Sequence, residues 1–325
     1  MSKEIKRIAV FTSGGDAPGM NAAVRAVVRN ASFHDMHVYG IRRGYEGMID
    51  GDLERLERRD VGNIIHRGGT ILKTARSQRF MTPEGRRSAY ETLLAHDIEA
   101  CIAIGGNGTF TGASVFTEEY NIPFIGVPGT IDNDLYGTDM TIGFDTAVNT
   151  AIEAVDKIRD TADSHNRLFF VEVMGRDAGF IAMNVGIATG AEAVLVPESK
   201  TDVNNLIDTL NSNYSNKKNS SIVVVAEGDE SGGAFKLAEE VKKHCPYETK
   251  VTILGHLQRG GRPTCMDRVR SSRMGVAAVN ALLEGKSGVM IGEINGEIVH
   301  TPFEQAIKYH NEINPMLLEM VDILS

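Results

Sequence analysis

Two acidic residues, Asp132 and Asp134, close the stretch Phe124-Ile125-Gly126-Val127-Pro128-Gly129-Thr130-Ile131-Asp132-Asn133-Asp134. Paired carboxylates with hydroxyl and amide groups around them suit metal binding and the removal of a proton. Upstream, Cys101-Ile102-Ala103-Ile104 runs into Gly105-Gly106-Asn107-Gly108-Thr109. Glycines this dense leave backbone N–H groups uncovered, and Thr109 is placed to cap a following helix. Bare N–H groups at a helix start cradle phosphate. Acids beside a phosphate cradle make a coherent chemical pair.

The elements that position these turns follow from the pattern around them. Each turn ends a short apolar run, and an amphipathic stretch lies between the runs. That reads as two buried parallel strands joined by a crossover helix. Ligands bind beyond the carboxyl ends of such strands, so both turns are expected to face one crevice. Arg7–Thr12 is a further strand, followed by Ser13-Gly14-Gly15-Asp16-Ala17-Pro18-Gly19-Met20-Asn21 and a helix over Ala22–Asn30. This is not a Walker loop, because Met20 and Asn21 stand where Lys and Ser/Thr are required. Neither Gly-rich turn fits the dinucleotide pattern GxGxxG.

The pattern predicts further strands at His37–Ile41, Leu168–Val173, Ala193–Val196, Ser221–Val225, Val251–Leu254 and Gly288–Ile294. It predicts helices at Pro83–His96, Phe144–Thr161, Val203–Leu210, Gly233–His244 and Thr264–Leu283, with two short helices at the end. Arg42–Arg59, charged and carrying Gly44, Gly47 and Gly51, reads as loop-rich surface. The alternation is βαβα throughout. The expected fold is therefore α/β, with two doubly wound α/β domains, mainly parallel sheets and an active-site cleft between them.

The chain has 325 residues, 42% hydrophobic and 24% charged, with a formal net charge of −9. That is the balance of a globular enzyme, and it disfavours nucleic acid and anionic membranes as partners. Cys101, Cys245 and Cys265 are widely spaced, so neither a zinc cluster nor a disulfide framework is expected. No apolar leader or long apolar span is seen, and a cytoplasmic location is expected. In so acidic a chain, Arg76, Arg167, Arg176, Lys250, His256 and Arg259 at Gly-rich strand ends point to anionic substrates. Acids, cations and two phosphate cradles together favour phosphoryl transfer, which depends on positioning and charge stabilisation.

Four motifs carry a resemblance that covers most of the chain, from near Ile8 to about Glu293. They are Thr12–Asn21, Pro128–Asp134, Met174-Gly175-Arg176 and Gly255-His256-Leu257-Gln258-Arg259-Gly260-Gly261. In order and spacing they resemble the bacterial ATP-dependent 6-phosphofructokinases. The resemblance implies transfer of the ATP γ-phosphoryl group to the 1-hydroxyl of fructose 6-phosphate, with Mg²⁺, in glycolysis. It implies that Asp132 is the base, with Thr130, Arg176, Gly15 and Arg76 positioning the reacting groups. It assigns Gly15, Arg76, Ser77, Gly106, Asn107, Gly108 and Thr109 to the nucleotide, and Asn107 and Asp134 to the metal. Thr130, Ile131, Asp132, Arg167, Met174, Gly175, Arg176, Glu227, Lys250, His256, Leu257, Gln258 and Arg259 are assigned to the sugar phosphate. The domains implied are 1–142 plus 255–305 for the nucleotide and 143–254 plus 306–325 for the sugar phosphate. A homotetramer is implied too, with Arg167 and Lys250 entering a neighbouring subunit's site, an arrangement that suits cooperative regulation.

An ADP or phosphoenolpyruvate effector pocket is partly matched by Arg25, Arg29, Arg159, Gly190, Glu192 and Lys218, whereas Gly51-Asp52 stands where some members supply another Arg. Pyrophosphate-using relatives carry Asp at the Gly108 position and Lys at the Gly129 position. Glycine at both is expected to leave room for a nucleoside, which favours ATP. Three departures stand out: Asn107 replaces an Asp, Lys250 replaces the usual Arg, and Ser77 replaces an aromatic residue of some members. The rival readings are a pyrophosphate-dependent sugar-phosphate kinase of the same fold and a catalytically weak regulatory paralogue.

Overall fold

Strands begin where apolar residues run unbroken. β1 (Arg7–Thr12) buries every side chain after its first, as a strand covered on both faces must. The computed structural model describes residues 5–165, 167–216 and 221–324. After β1 come α1 (Met20–Phe33), β2 (His37–Ile41), α2 (Gly44–Asp50), β3 (Leu53–Leu56), α3 (Pro83–Ala95), β4 (Ala100–Gly105), α4 (Asn107–Tyr120) and β5 (Phe124–Pro128). Next are α5 (Phe144–Asp163), β6 (Arg167–Val173), α6 (Phe180–Thr189), β7 (Ala193–Leu195), α7 (Val203–Ser215), β8 (Ser221–Ala226), α8 (Ala234–Val241) and β9 (Glu248–Ile253). The order ends with α9 (Cys265–Leu283), β10 (Val289–Ile294), β11 (Glu297–Pro302), α10 (Phe303–Lys308) and α11 (Pro315–Leu324).

The chain divides into two compact units. The first comprises Met1–Ile131, Leu135–Thr146 and Arg259–Asn311; the second comprises Asp132–Asp134, Ala147–Gln258 and Glu312–Ser325. These boundaries differ by a few residues from those drawn from the sequence, and hydrogen bonds and a β-bridge at the junctions account for the shifts. The start of α5 stays with the first unit because buried Asp267 accepts hydrogen bonds from the Gly143 and Thr146 N–H groups. Gln258 stays with the second because it accepts the Met174 N–H. His310 bridges Leu135, and Asn311 donates to Thr138, so both stay with the first.

The first unit holds a seven-stranded sheet in the order β11-β10-β5-β4-β1-β2-β3. Its strands are parallel except for the outer pairs β2/β3 and β10/β11. The chain reverses its direction of build between β1 and β4, the position at which open α/β sheets bind ligands. Phe11, Phe110, Phe116 and Phe124 fill the core on one side, with Tyr45 and Phe80 stacked at 3.9 Å. Each buried Phe contributes roughly 1.5–3 kcal/mol. The second unit holds a parallel sheet in the order β7-β8-β6-β9, with a core of Leu168, Phe170, Leu210, Val223, Val225 and Leu237.

Four stretches differ from the sequence expectation. Arg42–Arg59 is not loop-rich, because α2 and β3 lie within it. Its glycines punctuate the helix: Gly51 ends it at φ +73°, and a Cβ on Gly47 would sit 1.7 Å from the Arg42 carbonyl oxygen. α6 was absent from the expectation because it is apolar all round and shows no period to read. β11 follows a two-residue Asn295-Gly296 turn, both residues at positive φ, which is a recognised hairpin signal. β9 starts at Glu248, earlier than expected, since alternating charges on an edge strand conceal it.

Candidate active site

In the first unit, three neighbouring strand ends bring their exit turns together. β1, β4 and β5 are neighbours, and their exit turns are cross-tied. Ser13 N–H donates to the Ile104 carbonyl, and Gly129 N–H donates to the Gly105 carbonyl. Glycine is required at Gly105, where a Cβ would lie 2.3 Å from Thr109 Oγ1 and 2.6 Å from the Ser13 carbonyl oxygen. α4 therefore starts at once, with Gly106 as its N-cap. Thr109 is not the cap expected from sequence. It lies inside the first turn, buried, and its N–H returns to the Gly106 carbonyl.

The N–H groups of Asn107 and Gly108 open the helix, where no intrahelical acceptor exists. They carry its positive dipole end toward solvent. Gly108 is exposed, and a Cβ there would meet nothing within 4 Å. Gly129 is different, because a Cβ would press on Met20 at 2.9 Å and Ile104 at 3.0 Å. The expectation that Gly129 leaves room for a nucleoside is therefore corrected: that glycine serves strand packing, and only Gly108 borders open space. Asn107 Oδ1 is buried with no hydrogen-bond partner among the described residues. An oxygen acceptor left over at such a point fits an oxygen-seeking cation such as Mg²⁺. Among the described residues no group of three or more His, Cys, Asp or Glu is placed to hold a metal. A metal here would therefore lean on substrate phosphates.

The loop 67–76 is pinned beside the β1 turn by side chains that sequence reasoning passed over. Asn21 Nδ2 donates to the carbonyls of Arg67 and Gly69, and its Oδ1 accepts from Ile71 N–H. Thr12 Oγ1 donates to the Lys73 carbonyl and Thr74 Oγ1 to the Gly14 carbonyl, both at 2.7 Å. Arg76, at the end of this loop, is exposed and has no ion-pair partner among the described residues. Ser77 donates to Glu46 and accepts from Phe80 N–H. Arg259 lies over Gly15, where a Cβ would fall 2.5 Å from its Nη1, and donates to the Asp16 carbonyl. Thr130 and Ile131 are buried, and Thr141 Oγ1 holds the Thr130 carbonyl.

In the second unit, the ends of β6, β8 and β9 present the other residues. Arg176 sits in the left-handed region at φ +53°, with its N–H donated to Glu227 Oε1 at 2.8 Å. Gly175 and Gly228 allow this turn, because a Cβ on Gly228 would lie 1.9 Å from the Arg176 carbonyl oxygen. The Arg176 guanidinium faces the Asp132 carboxylate at 3.6 Å. Asp132 is 4% exposed and Arg176 is 51% exposed, so a buried acid meets a solvated cation. Asp134 is half-buried, and Glu227, His256 and Leu257 are exposed. Gln258 is fully buried and holds Met174 N–H through Oε1, so it supports the turn from within.

Arg167 and Lys250 do not lie at carboxyl ends. Arg167 opens β6 and Lys250 stands near the start of β9. Arg167 and Val173 are the two ends of β6, roughly 20 Å apart at the usual rise. The expectation that all the cations share one kind of strand end is corrected accordingly.

The expected effector residues fall into separate groups. Arg25 and Arg29 lie one turn apart on α1, and burial, then the like charge of Arg29, lowers the Arg25 pKa. Arg159 donates to the carbonyls of Thr189 and Gly190, while Glu192 is buried and accepts from Asn213. Lys218 lies outside the described residues.

A doubly wound sheet whose glycine turns open a helix start, and a second unit in which the buried Asp132 faces a guanidinium, are features of an α/β enzyme. Residues 7–282 match the family described as Phosphofructokinase. ATP-dependent 6-phosphofructokinase 1 of Thermus thermophilus is 59% identical over 321 residues, covering 99% of this chain and 100% of that protein. ATP-dependent 6-phosphofructokinase 2 of Bacteroides thetaiotaomicron is 54% identical over 322 residues, covering 99% of each. The solved phosphofructokinase from Saccharomyces cerevisiae has a TM-score of 0.89 and 38% identity, covering 93% of this chain and 45% of that longer one. This chain belongs to the phosphofructokinase family.

Proposed function

We infer that this chain is an ATP-dependent 6-phosphofructokinase, which moves the ATP γ-phosphoryl group to the 1-hydroxyl of fructose 6-phosphate. The products are fructose 1,6-bisphosphate and ADP. The observation that carries this reading is the buried Asp132 carboxylate facing the Arg176 guanidinium. Asp132 accepts the proton of the attacking 1-hydroxyl, and Arg176 offsets charge that builds on the transferred group. The open N–H groups at the start of α4, with Thr109 behind them, hold nucleotide phosphates. Gly15, Arg76 and Thr130 position the reacting groups.

Asn107 and Asp134 would offer oxygen atoms to Mg²⁺, which when bound neutralises charge on the phosphate oxygens. Met174, Gly175, Glu227, His256, Leu257 and Arg259 serve the sugar phosphate. Arg167 and Lys250 serve the same ligand on a second copy of the chain, consistent with their place at strand starts. A homotetramer in the cytoplasm is part of the same reading. The Arg25/Arg29 pair, which has no ion-pair partner among the described residues, is assigned with Arg159, Gly190, Glu192 and Lys218 to an anionic effector such as ADP or phosphoenolpyruvate.

A coupled assay of the purified protein tests the donor. Product formation with ATP and none with pyrophosphate is expected; the reverse overturns the reading. Asn107 gives a second check, because it supplies a carbonyl oxygen but no charge. Asn107→Asp is expected to lower the free Mg²⁺ needed for half-maximal activity by roughly three- to tenfold, since ligand charge count tunes affinity. Superimposable Mg²⁺ titrations of the two proteins would remove Asn107 from the metal.

A further inference from the structure

Arg167 and Lys250 share a single carboxylate. Strands β6 and β9 pair in parallel with Arg167 opposite Glu248 and Phe169 opposite Lys250. Glu248 and Lys250 are two apart on one strand, so their side chains leave the same face. Glu248 Oε2 accepts from Arg167 Nε at 2.8 Å, and Oε1 lies 2.7 Å from Lys250 Nζ. Each oxygen takes one cation. Among the described residues, nothing else bonds to the Arg167 guanidinium or the Lys250 ammonium, so the Nη1 and Nη2 donors stay available.

We propose that Glu248 is a positioning residue that braces Arg167 and Lys250 into one two-cation clamp for the phosphate of a sugar phosphate bound to a second copy of this chain. The proposal rests on the assignment of those two cations made above. A brace and a competing counter-ion predict opposite effects. A competitor would have to be displaced by the incoming phosphate. The geometry favours the brace, because Arg167 is engaged through Nε, leaving its planar fork for bidentate contact with a phosphate. Long cationic side chains lose rotamer freedom when they grip a ligand, and a clamp ordered in advance reduces that loss. Hydrogen bonding from Arg167, then from Lys250, holds the Glu248 carboxyl at about 2. The brace is therefore ionised at every ordinary assay pH.

Steady-state kinetics on the full chain, with ATP and fructose 6-phosphate, test this in Glu248→Gln, Glu248→Asp, Arg167→Ala and the Glu248→Gln/Arg167→Ala double variant. Glu248→Gln is expected to raise KM for fructose 6-phosphate roughly tenfold, the size of one lost charge-assisted contact at a part-exposed site. Its kcat and its KM for ATP are expected to stay within about twofold, which a general loss of structure would not permit. Glu248→Asp keeps the charge and is expected to recover part of the loss. In the Arg167→Ala background Glu248→Gln is expected to add little, because one acts through the other. A lowered KM in Glu248→Gln would make the carboxylate a competitor and overturn the proposal, as would an unchanged KM or a parallel loss in both substrates. If Arg167→Ala itself leaves KM unchanged, the assignment of the cations fails and the brace fails with it.

Discussion

Asp132→Asn is expected to lower kcat by roughly 10²–10⁴-fold, the range of a lost general base, with little change in KM for fructose 6-phosphate. The amide keeps the size of the carboxylate and loses its capacity to take a proton. Asp132 is buried, so an alternative base from bulk water is poorly placed to replace it. Its partner Arg176 is half in solvent and stays hydrated when the negative charge is removed. The stability change is therefore expected to stay below about 1 kcal/mol, the scale of a pair with one exposed member. Single-turnover rates with saturating ATP, read beside thermal unfolding, separate the two effects. Turnover at the parental rate would take Asp132 out of the proton transfer. A large fall in melting temperature would instead make it a structural acid.

The parts of this site that could be read from sequence are those made by neighbouring residues. An apolar strand, a glycine turn and a helix start lie within a dozen or so positions of each other, so their chemistry shows in one window. The Gly105–Thr109 cradle and the Asp132–Asp134 turn are of this kind. Residues that act across the fold leave no such trace. Asp267 stands in the first turn of α9 like any surface acid at a helix start, yet its carboxylate holds Gly143 and Thr146 at the start of α5. Burial raises its pKa, and those hydrogen bonds oppose the shift. Gln258 reads as part of a motif facing the ligand, but it is buried behind the Met174 turn.

Glu248 was invisible for a related reason. Its two partners lie one strand away and two residues along, and the edge strand that carries Glu248 and Lys250 shows alternation of charge, not of apolar residues. Composition also misplaced Arg167 and Lys250, since a cation near a strand gives no hint of which end it occupies. For β11 the hairpin signal stands in the sequence at Asn295-Gly296, whereas the expectation ended the last strand at Ile294 and placed only two short helices beyond it. For α6 no signal existed, because its exposed face is nearly as apolar as its buried one, so no polar face sets a period.

Gly108→Asp is expected to raise KM for ATP by on the order of 10²-fold while leaving the folded state intact or slightly more stable. The two halves of that expectation come from the same spot on α4. A side chain at this position meets nothing within 4 Å, so no atom of the protein has to move. Acids in the first turn of a helix interact favourably with its N-terminal dipole, by about 0.3–1 kcal/mol at an exposed site. The same carboxylate would stand where the open N–H groups face the nucleotide. Two like charges about 6 Å apart at an effective dielectric of about 20 repel by roughly 3 kcal/mol, which is more than 10²-fold in binding. Loss of the positive dipole end adds to this. The signs therefore separate: melting temperature holds or rises, and ATP affinity falls. An unchanged KM for ATP would move the nucleotide phosphates away from the start of α4.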